Sequence, residues 1–382
     1  MTDASMSTPP FRADHVGSLR RPQSLMEARE RLLGAHDLDD NFGPHDNAEL
    51  RALEDEAIRD AVALQEGAGL HAITDGEFRR RIWWSEFIVS LDGVDGNYRG
   101  NPGEFQDAKG HKMPKPRIDV TGKIAWRESV NVEPFRFLAS VTGQTPKVTI
   151  PAPQMIYFYT SDDSIDRTVY PNLDSFWSDV ADAYVVEIKA LAEAGCTYVQ
   201  LDEVVTTCMC DDKQRDALRQ RGEEPDTLID RSITAINAIA DACPPSMTLA
   251  MHTCRGNFQG HWLAEGGYDP IAEKIFGETK VKTFFLEYDT ERAGTFEPLR
   301  FVPKDKYVAL GLVSTKTPEL EDEDFLKARI DQAAKFLPVE NLCLSPQCGF
   351  SSNYLGNPVT IDDERRKLEL VVRTATDVWG TA

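Results

Sequence analysis

Short apolar runs that end in polar residues recur along this chain. Between them lie stretches whose apolar positions repeat every three or four residues, the period of an amphipathic helix. The runs predicted as strands are residues 12–16, 71–75, 147–150, 197–201, 247–251, 282–286, 307–313 and 342–344. Helical periodicity is clearest over residues 47–66, 173–194 and 225–242, the second stopped by Gly195 and the third by Pro244-Pro245. Eight strands alternating with helices predict an α/β fold with a closed parallel sheet, a (β/α)₈ TIM barrel, as one domain over residues 1–382. Residues 93–145 break the alternation. They are rich in Gly, Pro and Lys, with short alternating runs, and are expected to form an inserted β-hairpin that acts as a lid or an oligomer contact.

Polar residues at strand C-termini of such a barrel gather around one mouth. The predicted strands end in Gly17-Ser18, in Gly76-Glu77, in Asp202-Glu203, in His252, in Glu287, and in Ser314-Thr315-Lys316, and the last is followed by Pro346-Gln347-Cys348. His252-Thr253-Cys254 puts an imidazole and a thiol on alternate positions, which leave a strand in the same direction. With Glu287 and Cys348 opening onto the same mouth, these four offer N, S, O and S donors, a set that suits tetrahedral zinc. Neutral His, two thiolates and a carboxylate carry −3, leaving a zinc site near −1. Such a site favours making a bound thiol nucleophilic over activating water. The bland alternative is that an H-x-C pair is simply packed, as buried Cys often is. Cys208-Met209-Cys210 lacks a nearby His and reads as packing, as do Cys196, Cys243 and Cys343.

Composition narrows the partners. A formal charge of −21 opposes binding to nucleic acid or to an anionic membrane. No stretch of about 18 apolar residues is present to span a bilayer. The first residues lack the pattern of an export signal, and seven cysteines are an odd count for bridges, so a cytoplasmic location with reduced thiols is expected. Homo-oligomerisation and the role of Trp83-Trp84 stay open.

From Asp14-His-Val-Gly-Ser18 to Ser345-Pro-Gln-Cys-Gly-Phe350, these motifs resemble the C-terminal catalytic barrel of the cobalamin-independent methionine synthase family. The resemblance implies that His252, Cys254, Glu287 and Cys348 bind Zn²⁺. It also implies that Ser18, Glu77 and Asp202 hold the amino-acid part of homocysteine, the carboxylates facing its ammonium group. The expected reaction is methylation of the homocysteine thiol, with a small-molecule methyl or alkyl donor as the second partner. Two departures stand out: one barrel in place of the synthases' two, and Lys316 where they carry a proton-transferring His. Lys316 is therefore the candidate catalytic residue at that position. Single-barrel relatives widen the range to methylcobalamin as donor, or to an epoxyalkane:coenzyme M transferase. The latter would take a sulfonate thiol, calling on bases such as Arg79, Arg80 or Arg255.

Overall fold

The computed structural model describes residues 8–34, 43–96, 101–107, 109–160 and 164–382. Its strands are β1 (Ala72–Ile73), β2 (Asp92–Asp95), β3 (Asn101–Gln106), β4 (Lys112–Lys115), β5 (Asp119–Ala125), β6 (Thr145–Pro146), β7 (Val148–Pro151), β8 (Tyr198–Glu203), β9 (Thr248–Thr253), β10 (Thr283–Glu287), β11 (Tyr307–Val313) and β12 (Leu342–Pro346). Strands β7 to β12 form one parallel sheet in sequence order. β1 pairs in parallel with β6, which runs on into β7 with only Lys147 between them.

The ring closes through the first predicted strand. Residues 12–16 form no regular ladder, but Ala13 bridges Leu344 in parallel and Leu344 N donates to Arg12 O at 2.8 Å. On the other side Thr74 Oγ1 donates to Gly17 O at 2.6 Å, and Leu19 N to Gly76 O at 3.1 Å. All eight predicted staves are thus present, and the chain folds as an α/β TIM barrel.

The barrel interior is lined by Ala72, Tyr198, Ala250, Phe285, Ala309 and Cys343 with Phe11 and Val16. Small side chains on β9, β11 and β12 leave room for Tyr198 and Phe285 where the staves converge. The larger apolar core lies outside the sheet, under the helices. Helix Ala48–Ala68 starts because Asn47 Oδ1 accepts from Leu50 N, and it ends because Gly69 adopts φ +92°. Helix Leu173–Glu193 is capped by Asn172, and Ile361–Trp379 by a Thr360–Asp363 capping box. Helix Pro225–Ala242 matches its predicted bounds. Between β10 and β11 only short 3₁₀ turns occur, the longer carrying Pro298 near its start.

The expected insertion divides in two. β2 pairs antiparallel with β5, and β3 with β4, as two separate two-stranded sheets. Residues 97–100 and 108 of this segment lie outside the described residues. Val132–Val141, inside the predicted insertion, is instead a helix of the barrel's outer layer that delivers the chain to β6. Its buried Phe135 and Leu138 lie three residues apart, a periodicity masked in the sequence by the flanking polar residues. No helix among the described residues is long and apolar enough to cross a membrane.

Candidate metal centre and substrate cleft

β9 points His252 and, one residue past its end, Cys254 into the barrel mouth, and Cys348 enters from the turn after β12. Donor atoms of these three lie within 4.8 Å of one another, and all three side chains are buried. The two sulfurs are 3.8 Å apart and both cysteines are free. Two thiolates on one tetrahedral zinc, each at about 2.3 Å, stand about 3.8 Å apart, so the spacing suits a metal as it stands. Both ring nitrogens of His252 are buried without a hydrogen-bond partner, an expensive state that a bound metal ion would relieve at one of them.

The thiols are strongly unequal. The hydrogen bond between the two sulfurs, with His252 beside it, holds Cys348 well below the usual thiol range, while the same bond and burial push Cys254 well above it. Burial alone would lower His252, but the anionic Cys348 beside it raises its pKa.

Glu287 does not join the three. Its Oε2 accepts from Arg255 N at 2.5 Å, and its Oε1 takes Arg292 and, at 3.4 Å, Lys316 Nζ. Burial pushes this carboxyl up, yet Lys316, Arg255 and Arg292 hold it at about 2. Lys316 also lies 3.9 Å from Asp289. It is buried, and although desolvation lowers its pKa, the two carboxylates raise it on balance. Lys316 is thus paired with two carboxylates and lies outside the lining of the cleft.

The cleft above the triad has a volume of about 370 Å³, and its wall includes Ser18, Glu77 and Asp202 together with His252, Cys254 and Cys348. Local backbone explains how Glu77 gets there. Gly76 (φ +65°) and Glu77 (φ +61°) are both left-handed, a conformation costly for a non-glycine residue, and the double turn swings the carboxylate inward. Thr149 Oγ1 donates to Glu77 Oε1 at 2.7 Å, Arg80 stands 3.4 Å from the same oxygen, and Oε2 is buried without a partner. Gly17 permits that contact, since a Cβ there would meet Thr149 Cγ2 at 2.6 Å.

Asp202 stands in register with His252 across β8 and β9. It does not bond the start of the short helix that follows; Glu203 accepts from Thr206 N there at 2.8 Å. Gln200 Nε2 donates to Asp202 at 2.6 Å. Burial raises the Asp202 carboxyl to about 7, against the pull of His252 and with a push from Glu77. Burial likewise raises Glu77. Ser18 is packed against Gly349, where a Cβ would strike its Oγ at 1.9 Å, so the residue after Cys348 must be small for Ser18 to sit beside the thiol.

Sequence reasoning did not find the aromatic side of this cleft. Trp83, Trp84, Phe158, Tyr159, Phe258 and Trp262 line it, with Trp84 stacked on Tyr159 at 4.0 Å between ring centroids. Gln106 and Pro116 of the inserted hairpin also reach the wall. The available signal was the density of aromatics right after strand ends, at 83–84, 157–159 and 258–262. Cys208 and Cys210 are buried and stand outside the metal-type group, as expected of packing residues.

Residues 35–375 match the family described as Cobalamin-independent synthase, Catalytic domain. The chain belongs to that family. It is 41% identical over 374 residues to the Bacillus subtilis protein YxjH, whose activity is uncharacterized, covering 97% of this chain and 95% of that one. A solved Listeria monocytogenes structure, assigned as a vitamin-B12 independent methionine synthase, superposes with a TM-score of 0.74 at 34% identity, covering 97% and 98% of the two chains. A Halalkalibacterium halodurans 5-methyltetrahydropteroyltriglutamate–homocysteine methyltransferase is 24% identical over 293 residues, spanning 76% of this chain but 35% of that protein. Methyl transfer is the activity of the cobalamin-independent synthase family, and the barrel seen here is its fold.

Proposed function

We propose that this protein binds Zn²⁺ through His252, Cys254 and Cys348 and transfers a methyl group to the sulfur of homocysteine. The observation that carries the reading is the convergence, in one cleft, of a metal-type triad with two buried carboxylates that lack enough positive charge. When bound, zinc supplies a Lewis acid that lets a thiol ionise near neutral pH.

The chain's own residues do the rest. Glu77 and Asp202 attract the substrate ammonium, whose charge would lower both of their pKa values and which would donate a hydrogen bond to the unpartnered Glu77 Oε2. Ser18 and the adjacent backbone receive the α-carboxylate. Held at both ends, the sulfur is presented toward Cys254 and Cys348. In the transfer the sulfur lone pair forms the new S–CH₃ bond while the bond from methyl to its carrier breaks, the electron pair leaving with the carrier. The aromatic wall of Trp83, Phe158 and Trp262 excludes water and offers flat apolar surface to that carrier.

A sulfonate thiol suits this cleft poorly, because among the described residues no Lys or Arg lines it. Arg79 is committed to Asp55 and Glu54, Arg80 to Thr149 and Glu77, and Arg255 to Gly266 O and Glu287. Calorimetry on the zinc-loaded protein tests the reading. Homocysteine should bind with release of a proton while coenzyme M does not; the reverse preference, or no response to homocysteine, would sink the assignment.

A further inference from the structure

Resting on the homocysteine reading above, we propose that Gln200 is a positioning residue that sets the span between the two ends of the amino-acid subsite. That span makes the cleft selective for a thiol carrying ammonium and carboxylate on one carbon.

The first stave, residues 12–16, and β8 are not neighbours in the ring; β1 and β7 stand between them. Two side chains of β8 nevertheless reach that stave across the barrel interior. The Tyr198 hydroxyl donates to Asp14 Oδ2 at 2.7 Å, and Gln200 Nε2 donates to Val16 O at 2.7 Å. These rungs climb two residues at a time on each stave, and on β8 alternate residues share the inner face. The next level up is Ser18 and Asp202, and both line the cleft. There Ser18 Oγ accepts from Ser351 N and Asp202 accepts from Gln200; among the described residues neither bonds the other. An α-amino acid has the groups to close this third rung, its carboxylate toward Ser18 and its ammonium toward Asp202.

Gln200 holds both ends of that rung with one atom. Nε2 has two N–H bonds, one given to Val16 O and the other to Asp202 Oδ1 at 2.6 Å. Turning the amide over would set Oε1 against two other oxygens, so the acceptors fix its orientation. Gln200 has no exposed surface and Oε1 has no partner, a cost that simple space-filling does not explain. Lys147 Nζ and Thr74 Oγ1 hold the carbonyls on either side of Val16, His15 O and Gly17 O, each at 2.6 Å. Three consecutive carbonyls of a stave without a regular ladder are thus pinned by side chains, and of those three Gln200 also holds a carboxylate of the cleft.

The test compares homocysteine with two thiols that each lack one end: γ-mercaptobutyrate, without the ammonium, and mercaptopropylamine, without the carboxylate. Affinities are measured by calorimetry on the zinc-loaded wild type, Gln200→Met and Gln200→Asn. Wild type should bind homocysteine at least about 100-fold more tightly than either analogue, since each analogue leaves a buried polar group unpaired. Gln200→Met fills nearly the same space without a donor. Homocysteine affinity should fall about 10- to 100-fold, while each analogue, needing one end only, stays within about 3-fold of its wild-type value. Gln200→Asn, a methylene too short to reach both acceptors, should give the same pattern.

Equal weakening of all three thiols in the variants, or unchanged homocysteine affinity, overturns the proposal while the homocysteine reading stands. A wild type that binds an analogue as tightly as homocysteine overturns it without any variant. A wild type that binds none of the three removes the functional reading as well. Circular dichroism and zinc content check that each variant is folded and loaded, and Gln200→Asn carries the comparison if Gln200→Met does not fold.

Discussion

The two sides of the barrel mouth treat buried carboxylates in opposite ways. On the β10–β11 side, Glu287 has no exposed surface, yet three cations converge on it and it stays ionised down to about pH 2. On the β1–β8 side, Asp202 and Glu77 are buried almost as deeply, but Asp202 receives one amide hydrogen bond and Glu77 keeps one oxygen unpartnered. Burial raises a carboxyl pKa wherever it occurs; the number of cations supplied decides whether it ends low or high. The first side is electrostatically complete before any ligand arrives. The second has a charge deficit that a ligand ammonium would fill. On the proposed function, the incomplete side would select amino-acid thiols and the complete side would keep the surroundings of the His252–Cys254–Cys348 triad rigid.

The largest effect should come from deleting the triad between the two sides. Cys254→Ala or Cys348→Ala is expected to abolish stoichiometric zinc and all methyl transfer while far-UV circular dichroism stays native, because each change removes a single sulfur from the edge of an extensive core. Global unfolding of both variants would make the metal structural. Next is Asp202→Asn, which keeps the Gln200 hydrogen bond but removes the charge. Homocysteine affinity should drop by about 10- to 100-fold, the range for a charge-assisted bond, with zinc content unchanged. Equal binding by this variant would dissolve the contrast between the sides.

The pH response sharpens it further. The folded Asp202 carboxyl near 7 lies above its ordinary value of 3.8, so as pH rises from about 4 to 7 the unfolded chain ionises first and the folded state loses stability from this group. An ammonium ligand reverses that cost, and thermal stabilisation by homocysteine should be greater at pH 8 than at pH 6. Asp202→Asn should flatten the Asp202 part of that difference.

The smallest expected effect generalises the rule away from the site. Glu364 is buried with Arg20 as its partner and is raised to about 8 from 4.5, chiefly by desolvation. Its folded pKa is the higher one, so stability should decline from pH 4.5 to 8. Glu364→Gln should raise the melting temperature at pH 9 by a few degrees and leave it nearly unchanged at pH 4.5. An unchanged pH profile would show that Arg20 neutralises Glu364 more fully than its placement implies.

Much of this was legible in the one-dimensional pattern. Each of the eight staves lies where an apolar run ended in polar residues, and His252, Cys254, Asp202 and Glu287 fall at strand ends because alternation along a strand is a local property. Val132–Val141 was hidden inside a Gly- and Pro-rich stretch whose composition belongs to the hairpin preceding it. Glu287 and Lys316 were read one at a time, as a ligand and as a proton carrier. Nothing in either segment announces that they meet each other, with Arg292 arriving from a 3₁₀ turn. Trp83 and Trp84 were similarly mute until the left-handed turn at Gly76-Glu77 and the chain beyond it placed them on the cleft wall.

By itself, the sequence determined the barrel, the side of it on which the chemistry sits, and the donor types on offer, since periodicity and strand-end exits depend only on near neighbours along the chain. Which carboxylates would be neutralised and which left wanting was decided by tertiary structure alone. That outcome depends on cations brought from residues 255, 292 and 316 to within a few ångströms of one buried glutamate, and on Arg80, shared with Thr149, reaching one oxygen of Glu77 while the other is left without a partner.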